Sequence, residues 1–502
     1  MMSPATLADL FSHAEPQHPA LLLPDQDDPI TYRALANQVE ALAGVLRGGG
    51  LQPGDPVALV LPNGLEYLAA FLATCRARLI AAPLNPAYKP DEYRFYLKDA
   101  GVKVVIAPPE AHPVREVARE LSLRVGSARR DSQGVVRLEG EGLPANGAVP
   151  DLPQAADVAL FLHTSGTTSR PKGVPLTHAN LMASVRNIAR HYQLSPADTS
   201  LVVMPLFHVH GLIGVTLSSL FAGGSIMVPP RFSASAFWPA VRAYRVTWYS
   251  AAPTIHQVLL QRAEQDEAPA RSGFRFIRSC SSALAAVTMA QLEERFGAPV
   301  IEAYAMTEAS HQMTANPLPP GTRKPGTVGR GTSVEVAIMD ESGTLLPAGT
   351  PGEVVVRGPN VISGYHNNPE ANRSSFTNGW FRTGDRGVLD ADGYLTLIGR
   401  IKELINRGGA KISPLEVDAV LLAHPAVAEA ASFGAPDAKY GEEVHAAVVL
   451  KGEATAEALQ SFCRDRLADY KVPKVVYLVK ELPKGPTGKV QRRFVAAALL
   501  PS

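Results

Sequence analysis

An α/β fold in at least two domains is predicted by three features of this chain. Short apolar runs alternate with amphipathic helical stretches through roughly the first four-fifths of its length. A β-rich stretch punctuated by Gly and Pro follows from Gly352 to Gly364, where a small β-barrel-like subdomain is expected. Near Gly399-Arg400-Ile401-Lys402 the character changes, and helix and strand signals restart. At 502 residues the chain also exceeds one compact core.

The elements follow in order. Val57–Leu61 reads as a strand, Glu66–Ala77 as an amphipathic helix and Val104–Ala107 as a short strand. Val158–Leu162 reads as a buried strand. Leu181–Tyr192 reads as a helix, and Val246–Ser250 and Phe274–Ser279 as strands. After the change of character come Pro414–Leu422, Val444–Leu450, Ala456–Asp469 and Val475–Leu478. These give about a hundred residues with an apolar pattern of their own, enough for a smaller α+β domain.

Composition narrows the function. Hydrophobic residues make up 46% and charged residues 19%, which is globular rather than disordered. A net charge of +1 gives no reason to expect nucleic acid. Cys75, Cys280 and Cys463 lie too far apart for a metal-ligand or disulfide pattern, so a reducing compartment is expected. The longest apolar region, Leu201–Pro230, is broken by Pro205, His208, His210 and glycines, so no membrane span is expected. The start lacks a secretory pattern and the Leu-Leu-Pro-Ser end is not a Ser-Lys-Leu peroxisomal address, so the expected location is the cytoplasm.

Four motifs carry chemistry. The first is Leu162-His-Thr-Ser-Gly-Thr-Thr-Ser-Arg-Pro-Lys-Gly-Val174. Thr164, Ser165, Thr167 and Thr168 offer hydroxyls, Gly166 frees backbone N–H groups for an anion, and Lys172 adds a compact positive charge. That suits a nucleoside triphosphate, although an ordinary Ser/Thr/Gly turn has the same composition. It is not a Walker A loop, because Pro171 stands where the second Gly belongs. The second is Tyr304-Ala-Met-Thr-Glu308, an aromatic ring and a carboxylate suited to a base and to Mg2+, or else a helix start. The third is Trp380-Phe-Arg-Thr-Gly-Asp385, an acid after a Gly turn that can grip two ribose hydroxyls. The fourth is Leu482-Pro-Lys-Gly-Pro-Thr-Gly-Lys489-Val-Gln-Arg-Arg493, whose lysine sits on a Gly-containing loop expected to be exposed. Arg492 and Arg493 read as a basic tail.

Together, and in this order, the motifs resemble the adenylate-forming enzymes: acyl-CoA synthetases, firefly luciferase and the adenylation domains of peptide synthetases. Ser169, where that family usually has Gly, resembles the oxalate–CoA ligase branch. The resemblance implies ATP, Mg2+ and coenzyme A as reactants or cofactors and a small carboxylic acid as substrate. It implies that Thr164 to Thr168 and Lys172 hold phosphates, with Ser282 and Ala283 beside the nucleotide. Tyr304 would stack on adenine, Thr307 would contact phosphate and Glu308 would ligate Mg2+. Asp385 and Arg400 would hold the ribose. It further implies a nucleotide-and-acid domain over residues 1–399, a hinge at 400–402 that includes Lys402, and a mobile domain over residues 403–502. That domain would present Lys489 for adenylation and then Gly408 and Gly409 along a thiol tunnel, with Ala410 where many relatives have Glu.

The acid pocket is expected from Pro205–Gly211, Tyr249–His256, Arg278–Ala283 and Ala309–His311, with His208, His256, Arg278, Ser281 and His311 as its polar groups. Fatty and aromatic acid relatives have a Gly-Ala-Pro-like segment where this chain has Ser281-Ser282-Ala283. Ser281 would narrow the channel, and the histidines would add potentially cationic groups. A buried second carboxylate needs such partners, and oxalate fits best. His208 matches the family's gate position and, with Lys489 and Thr307, completes the expected catalytic set. Arg278 and Ser281 would face opposite sides of a continuing strand, so a surface salt bridge is an equal reading for Arg278. A medium-chain or malonate-type synthetase, an enzyme that loads a carrier protein, and a non-catalytic nucleotide-binding protein are the alternatives.

A preorganised ammonium stabilises the charge that spreads over the phosphoryl oxygens as a carboxylate attacks ATP. Lys489→Ala is therefore expected to slow adenylation by roughly two to three orders of magnitude. Acid-dependent pyrophosphate exchange measures it, and an unchanged rate would remove Lys489 from the reaction.

Overall fold

The computed structural model of the chain describes residues 5–148, 150–164, 171–266, 268–269, 272–485 and 489–500. Two large sheets build the N-terminal domain. A seven-stranded sheet runs in the order Val136–Gly140, Arg124–Arg130, Val104–Ala107, Pro56–Leu59, Ile80–Pro83, Val158–Thr164 and Lys172–Thr177. A nine-stranded sheet runs Arg330–Gly331, His311–Ala315, Val300–Met306, Phe276–Ser279, Trp248–Ala251, Thr199–Leu201, Ser225–Met227, Pro19–Leu22 and Ile30–Thr31. Its central pairs are parallel and its outermost pairs antiparallel. Parallel strands are covered on both faces and therefore read as unbroken apolar runs. Val104–Ala107 and Trp248–Ala251 are buried at every position.

One core joins the two sheets. It is centred on the helix Leu65–Arg76, in which every residue but Glu66 is buried. The helix is apolar around its circumference because it lies between layers. His178–His191 starts earlier than its apolar pattern predicts, because Thr177 caps it by accepting the Asn180 N–H at 3.1 Å.

The β-rich stretch forms a five-stranded antiparallel sheet of Glu335–Met339, Gly352–Arg357, Phe376–Thr377, Trp380–Leu389 and Leu395–Arg400. The smaller C-terminal domain is another five-stranded sheet with the helices Pro414–Leu422 and Ala456–Arg464. Its core is separate, built on Ile405, Ile412, Val417, Leu421, Val444, Val448 and Leu459. A short 3-10 turn, Ile401–Glu403, connects it to the large domain and leaves Lys402 exposed. Gly408 and Gly409, at φ 56° and 91°, close the hairpin between Ile405–Arg407 and Ala410–Ile412. Two successive left-handed residues make the tight hairpin turn whose twist matches the strands, and glycine adopts them without strain. Among the described residues no helix is long and apolar enough to cross a membrane.

Candidate active site

In open α/β sheets, ligands bind beyond the carboxyl ends of the strands. In the nine-stranded sheet those ends carry Ser250, Arg278, Tyr304 and, just past them, Ser281 and Thr307. The seven-stranded sheet contributes Thr164 and Lys172, which face each other across the last strand pair. Ser165, Gly166, Thr167 and Thr168 lie outside the described residues.

At one end of the site, charged and aromatic groups interlock. The Lys172 ammonium stands 4.4 Å from the centre of the Tyr365 ring, and Tyr365 donates its hydroxyl to Glu308 at 2.8 Å. Burial and the nearby Lys402 and Arg400 lower the Lys172 pKa, while the Glu308 carboxylate opposes them. Glu308 is itself buried on the turn Thr307–Ala309. A single buried carboxylate whose other oxygen keeps its lone pairs fits Mg2+, which combines one or two carboxylates with phosphate oxygens and water. Tyr304 donates its hydroxyl to Asp385, and Arg400 bridges the same carboxylate at 2.8 Å. Asp385 and Arg400 are paired across adjacent strands, and Gly384, at φ 72°, bends the chain just before the acid. Burial raises the Asp385 pKa and Arg400 pulls it back.

The other end is built around Arg278. Its side chain is fully buried, and among the described residues it meets no carboxylate. Nε donates to the Tyr192 hydroxyl at 2.9 Å, and one terminal nitrogen to Ser250 Oγ at 3.1 Å. The other donates to His311 Nε2 and to Gln312 Oε1, both at 2.8 Å. The surface salt bridge that the sequence allowed for Arg278 is thus excluded. The opposite-face problem also disappears, because the strand ends at Ser279 and Ser281 turns back at φ 81°. Ser281 Oγ lies 2.8 Å from His210 Nδ1, and His210 Nε2 lies 2.7 Å from Ser250 Oγ. Ser310 and His311 are left-handed too, at φ 49° and 97°. Non-glycine residues held there cost about 1–3 kcal/mol each and cluster at functional sites.

The histidines are not the cations expected of them. Burial holds His208 down to about 3, with Lys489 adding to the effect. Burial and the Arg278 charge hold His210 and His311 well below the ordinary imidazole value. His256 is bonded through Nδ1 to the Tyr249 hydroxyl at 3.1 Å, and burial holds its pKa down to about 4. The positive charges at the acid end are Arg278 and Lys489.

Lys489 is half-buried rather than exposed. Burial lowers its pKa, with Arg400 adding to the effect and Asp385 opposing it. Its charge reaches His208, His311 and Asp385, so the small domain closes over both ends of the site. Arg492 is no free tail either: it pairs with Asp418 at 2.7 Å. Ser282 and Ala283 are exposed at the rim. The Gly408-Gly409 hairpin packs on its own domain, with Gly408 N–H donating to the Tyr440 carbonyl at 2.8 Å.

Residues 10–366 match the AMP-binding enzyme family, and residues 416–489 match the AMP-binding enzyme C-terminal domain. The chain belongs to the AMP-binding enzyme family. It is 51% identical to the probable CoA ligase CCL9 of Humulus lupulus, over 94% of this chain and 92% of that one. It is 49% identical to the oxalate–CoA ligase of Arabidopsis thaliana, over 94% of each. Among solved structures, ATP-bound MatB from Rhodopseudomonas palustris superimposes with a TM-score of 0.89 at 32% identity, covering 98% of each chain.

Several residues of this AMP-binding site escape sequence reasoning. Tyr192, Gln312 and Tyr365 come from separate elements and have no motif of their own, whereas Ser250 falls within the expected pocket segment Tyr249–His256. Glu302 has a weak signal, an acid inside an otherwise apolar strand. Its carboxyl accepts the Leu284 N–H at 2.9 Å and so anchors the far end of the Ser281 turn. Burial raises its pKa from 4.5 to about 7. The folded state therefore holds a proton that the unfolded state releases between those values. Stability from this group is complete below about 4.5 and is lost as pH rises through about 7. Glu302→Gln keeps the accepting oxygen and never ionises. Its melting temperature should exceed that of the unsubstituted chain at pH 8 and match it near pH 4.5, as read by calorimetry. An equal shift at both pH values would contradict the buried, titrating carboxyl.

Proposed function

We propose that this chain is an ATP-dependent acid–CoA ligase that converts oxalate, ATP and CoA to oxalyl-CoA, AMP and pyrophosphate. The observation that carries the choice of acid is the buried guanidinium of Arg278, which meets no carboxylate among the described residues and is fenced by neutral hydrogen-bonding groups. Such a site lacks one negative charge. A second carboxylate on the substrate supplies it, and a monocarboxylic acid does not. The likeness to the Arabidopsis oxalate–CoA ligase supports the same acid.

The chemistry runs in two steps, each easier than direct thioester formation. A carboxylate of the acid attacks the α-phosphorus of ATP, and pyrophosphate leaves. Lys172 and the loop after Thr164 hold the phosphates. Asp385 and Arg400 hold the ribose, Tyr304 lies against the base and Thr307 contacts the α-phosphate. Lys489 neutralises charge on the transferring oxygens, with its ammonium held close by burial. Glu308 would hold Mg2+, which supplies charge neutralisation on the phosphates when bound. Neutral His208 packs against the reacting acid and excludes water. In the second step the CoA thiolate attacks the acyl carbon and AMP leaves. We assign this step to a rotated small domain, turned about Lys402, that withdraws Lys489 and brings Gly408 and Gly409 to the thiol path. Hinge closure of this kind is a common gate in multidomain enzymes.

Pyrophosphate release with ATP, Mg2+ and CoA should be fastest with oxalate among oxalate, malonate, acetate, hexanoate, octanoate and coumarate. Ser281→Gly should weaken oxalate use and admit the longer acids. One lost hydrogen bond to a charged group corresponds to a rise of roughly 10- to 100-fold in the KM for oxalate. Octanoate or coumarate as the preferred acid of the unsubstituted chain would overturn the choice of substrate and leave the ligase chemistry standing.

A further inference from the structure

The hydrogen atoms around Arg278 are determined by valence alone. A guanidinium has donors and no acceptor, and does not lose its proton. The ring nitrogen it touches, His311 Nε2 at 2.8 Å, must therefore accept. His311 is neutral, so its proton sits on Nδ1. That Nδ1 is buried and has no partner among the described residues. A buried N–H without an acceptor costs on the order of 1–3 kcal/mol and points to a ligand that completes it.

The second arm follows the same logic. Ser250 Oγ accepts from Arg278 at 3.1 Å. Ser250 is fully buried, and the acceptor within reach of its own hydrogen is His210 Nε2 at 2.7 Å. His210 then carries its proton on Nδ1 and donates to Ser281 Oγ at 2.8 Å. The hydroxyl hydrogen of Ser281 is left free to donate onward. The two imidazoles are stacked at 26° to each other, with ring centres 5.3 Å apart, so both arms run side by side. Gly214 leaves the space that His311 occupies, since a Cβ there would lie 2.3 Å from Nε2.

We propose that Arg278 is a positioning residue that sets the tautomers of His311 and, through Ser250, of His210, so that His311 Nδ1–H and the Ser281 hydroxyl are presented together to an anionic group of the substrate. The guanidinium does not bind the substrate directly. It turns two histidines and a serine, groups that could each donate or accept, into a pair of obligatory donors. An ester or amide in that place supplies only an uncharged acceptor and a weaker hydrogen bond. A methyl group there supplies no acceptor, and both donors stay unsatisfied. Rejection of a methyl-bearing acid is the strong kind, because buried polar groups are left unpaired. The identity of the anionic group as a second carboxylate rests on the oxalate reading; the tautomers do not.

Nitrogen-15 histidine spectra of the full-length, ligand-free protein at neutral pH test the proposal, with His210→Asn and His311→Asn used to assign the signals. Both imidazoles should be protonated on Nδ1 and bare on Nε2. In Arg278→Gln, whose amide can donate or accept, His311 should shift toward the Nε2-protonated form. The KM for oxalate should rise roughly 10- to 100-fold in that variant, from lost charge-assisted hydrogen bonding, while the KM for ATP stays unchanged. In a Ser281→Gly/His311→Ala background the same substitution should lose most of its effect on oxalate, as coupled residues do. An Nε2-protonated His311 in the unsubstituted protein would overturn the proposal, even if Arg278→Gln fails to fold. So would an Arg278→Gln variant that keeps the original tautomers and raises the KM of ATP and of every acid alike. If the unsubstituted enzyme ignores oxalate, the choice of acid fails while the histidine spectrum still decides the role of Arg278.

Discussion

A positive charge buried without a negative partner among the described residues organises this site. Taking a guanidinium out of water costs several kcal/mol unless hydrogen bonds and an opposite charge compensate it. Arg278 has the hydrogen bonds, donated to Tyr192, Ser250, His311 and Gln312, and no opposite charge among the described residues. The surrounding structure is shaped by that imbalance. The histidines stay neutral beside it, the strand stops one residue beyond it, and the chain accepts left-handed residues at Ser281 and His311 to close around it. The chain thus holds an unfavourable arrangement, which the proposed oxalate would relieve.

The two ends of the site solve opposite electrostatic problems. At the nucleotide end, positive and negative groups are interleaved: Lys172 with Glu308, and Arg400 with Asp385. Each cation there has a carboxylate to hold it until phosphate arrives. Around Arg278 no such partner stands among the described residues. Lys489 spans the two, since its charge is felt at Asp385 and at His311. Its position on a separate domain with a separate core makes that bridge removable. An enzyme that must first stabilise pyrophosphate departure and then admit a thiol needs such a removable cation.

Much of this was legible in the amino-acid order, and the rest was hidden for physical reasons. Strands such as Val104–Ala107 and helices such as Pro414–Leu422 announce themselves because burial on both faces, or a Pro at the first turn, leaves a local mark. Asp385 and Glu308 were visible because each lies in a contiguous motif. Arg278 was misjudged as a possible surface residue because local pattern says nothing about where a strand ends or what stands opposite it. Its partners come from positions 192, 250, 311 and 312, and only tertiary contact joins them. The histidines read as potentially cationic because the sequence does not show their burial, which holds them neutral, nor the charges of Arg278 and Lys489 that add to it. Lys489 looked exposed because its loop is polar, although the large domain covers it.

The most direct test of this account is a crystal structure of the protein with oxalate and a non-hydrolysable ATP analogue. The account predicts one carboxylate within about 2.7–3.2 Å of both Ser281 Oγ and His311 Nδ1, with the other turned toward Lys489 and the α-phosphate. Oxalate lying directly on the Arg278 guanidinium with His311 displaced, or bound away from both donors, would contradict it.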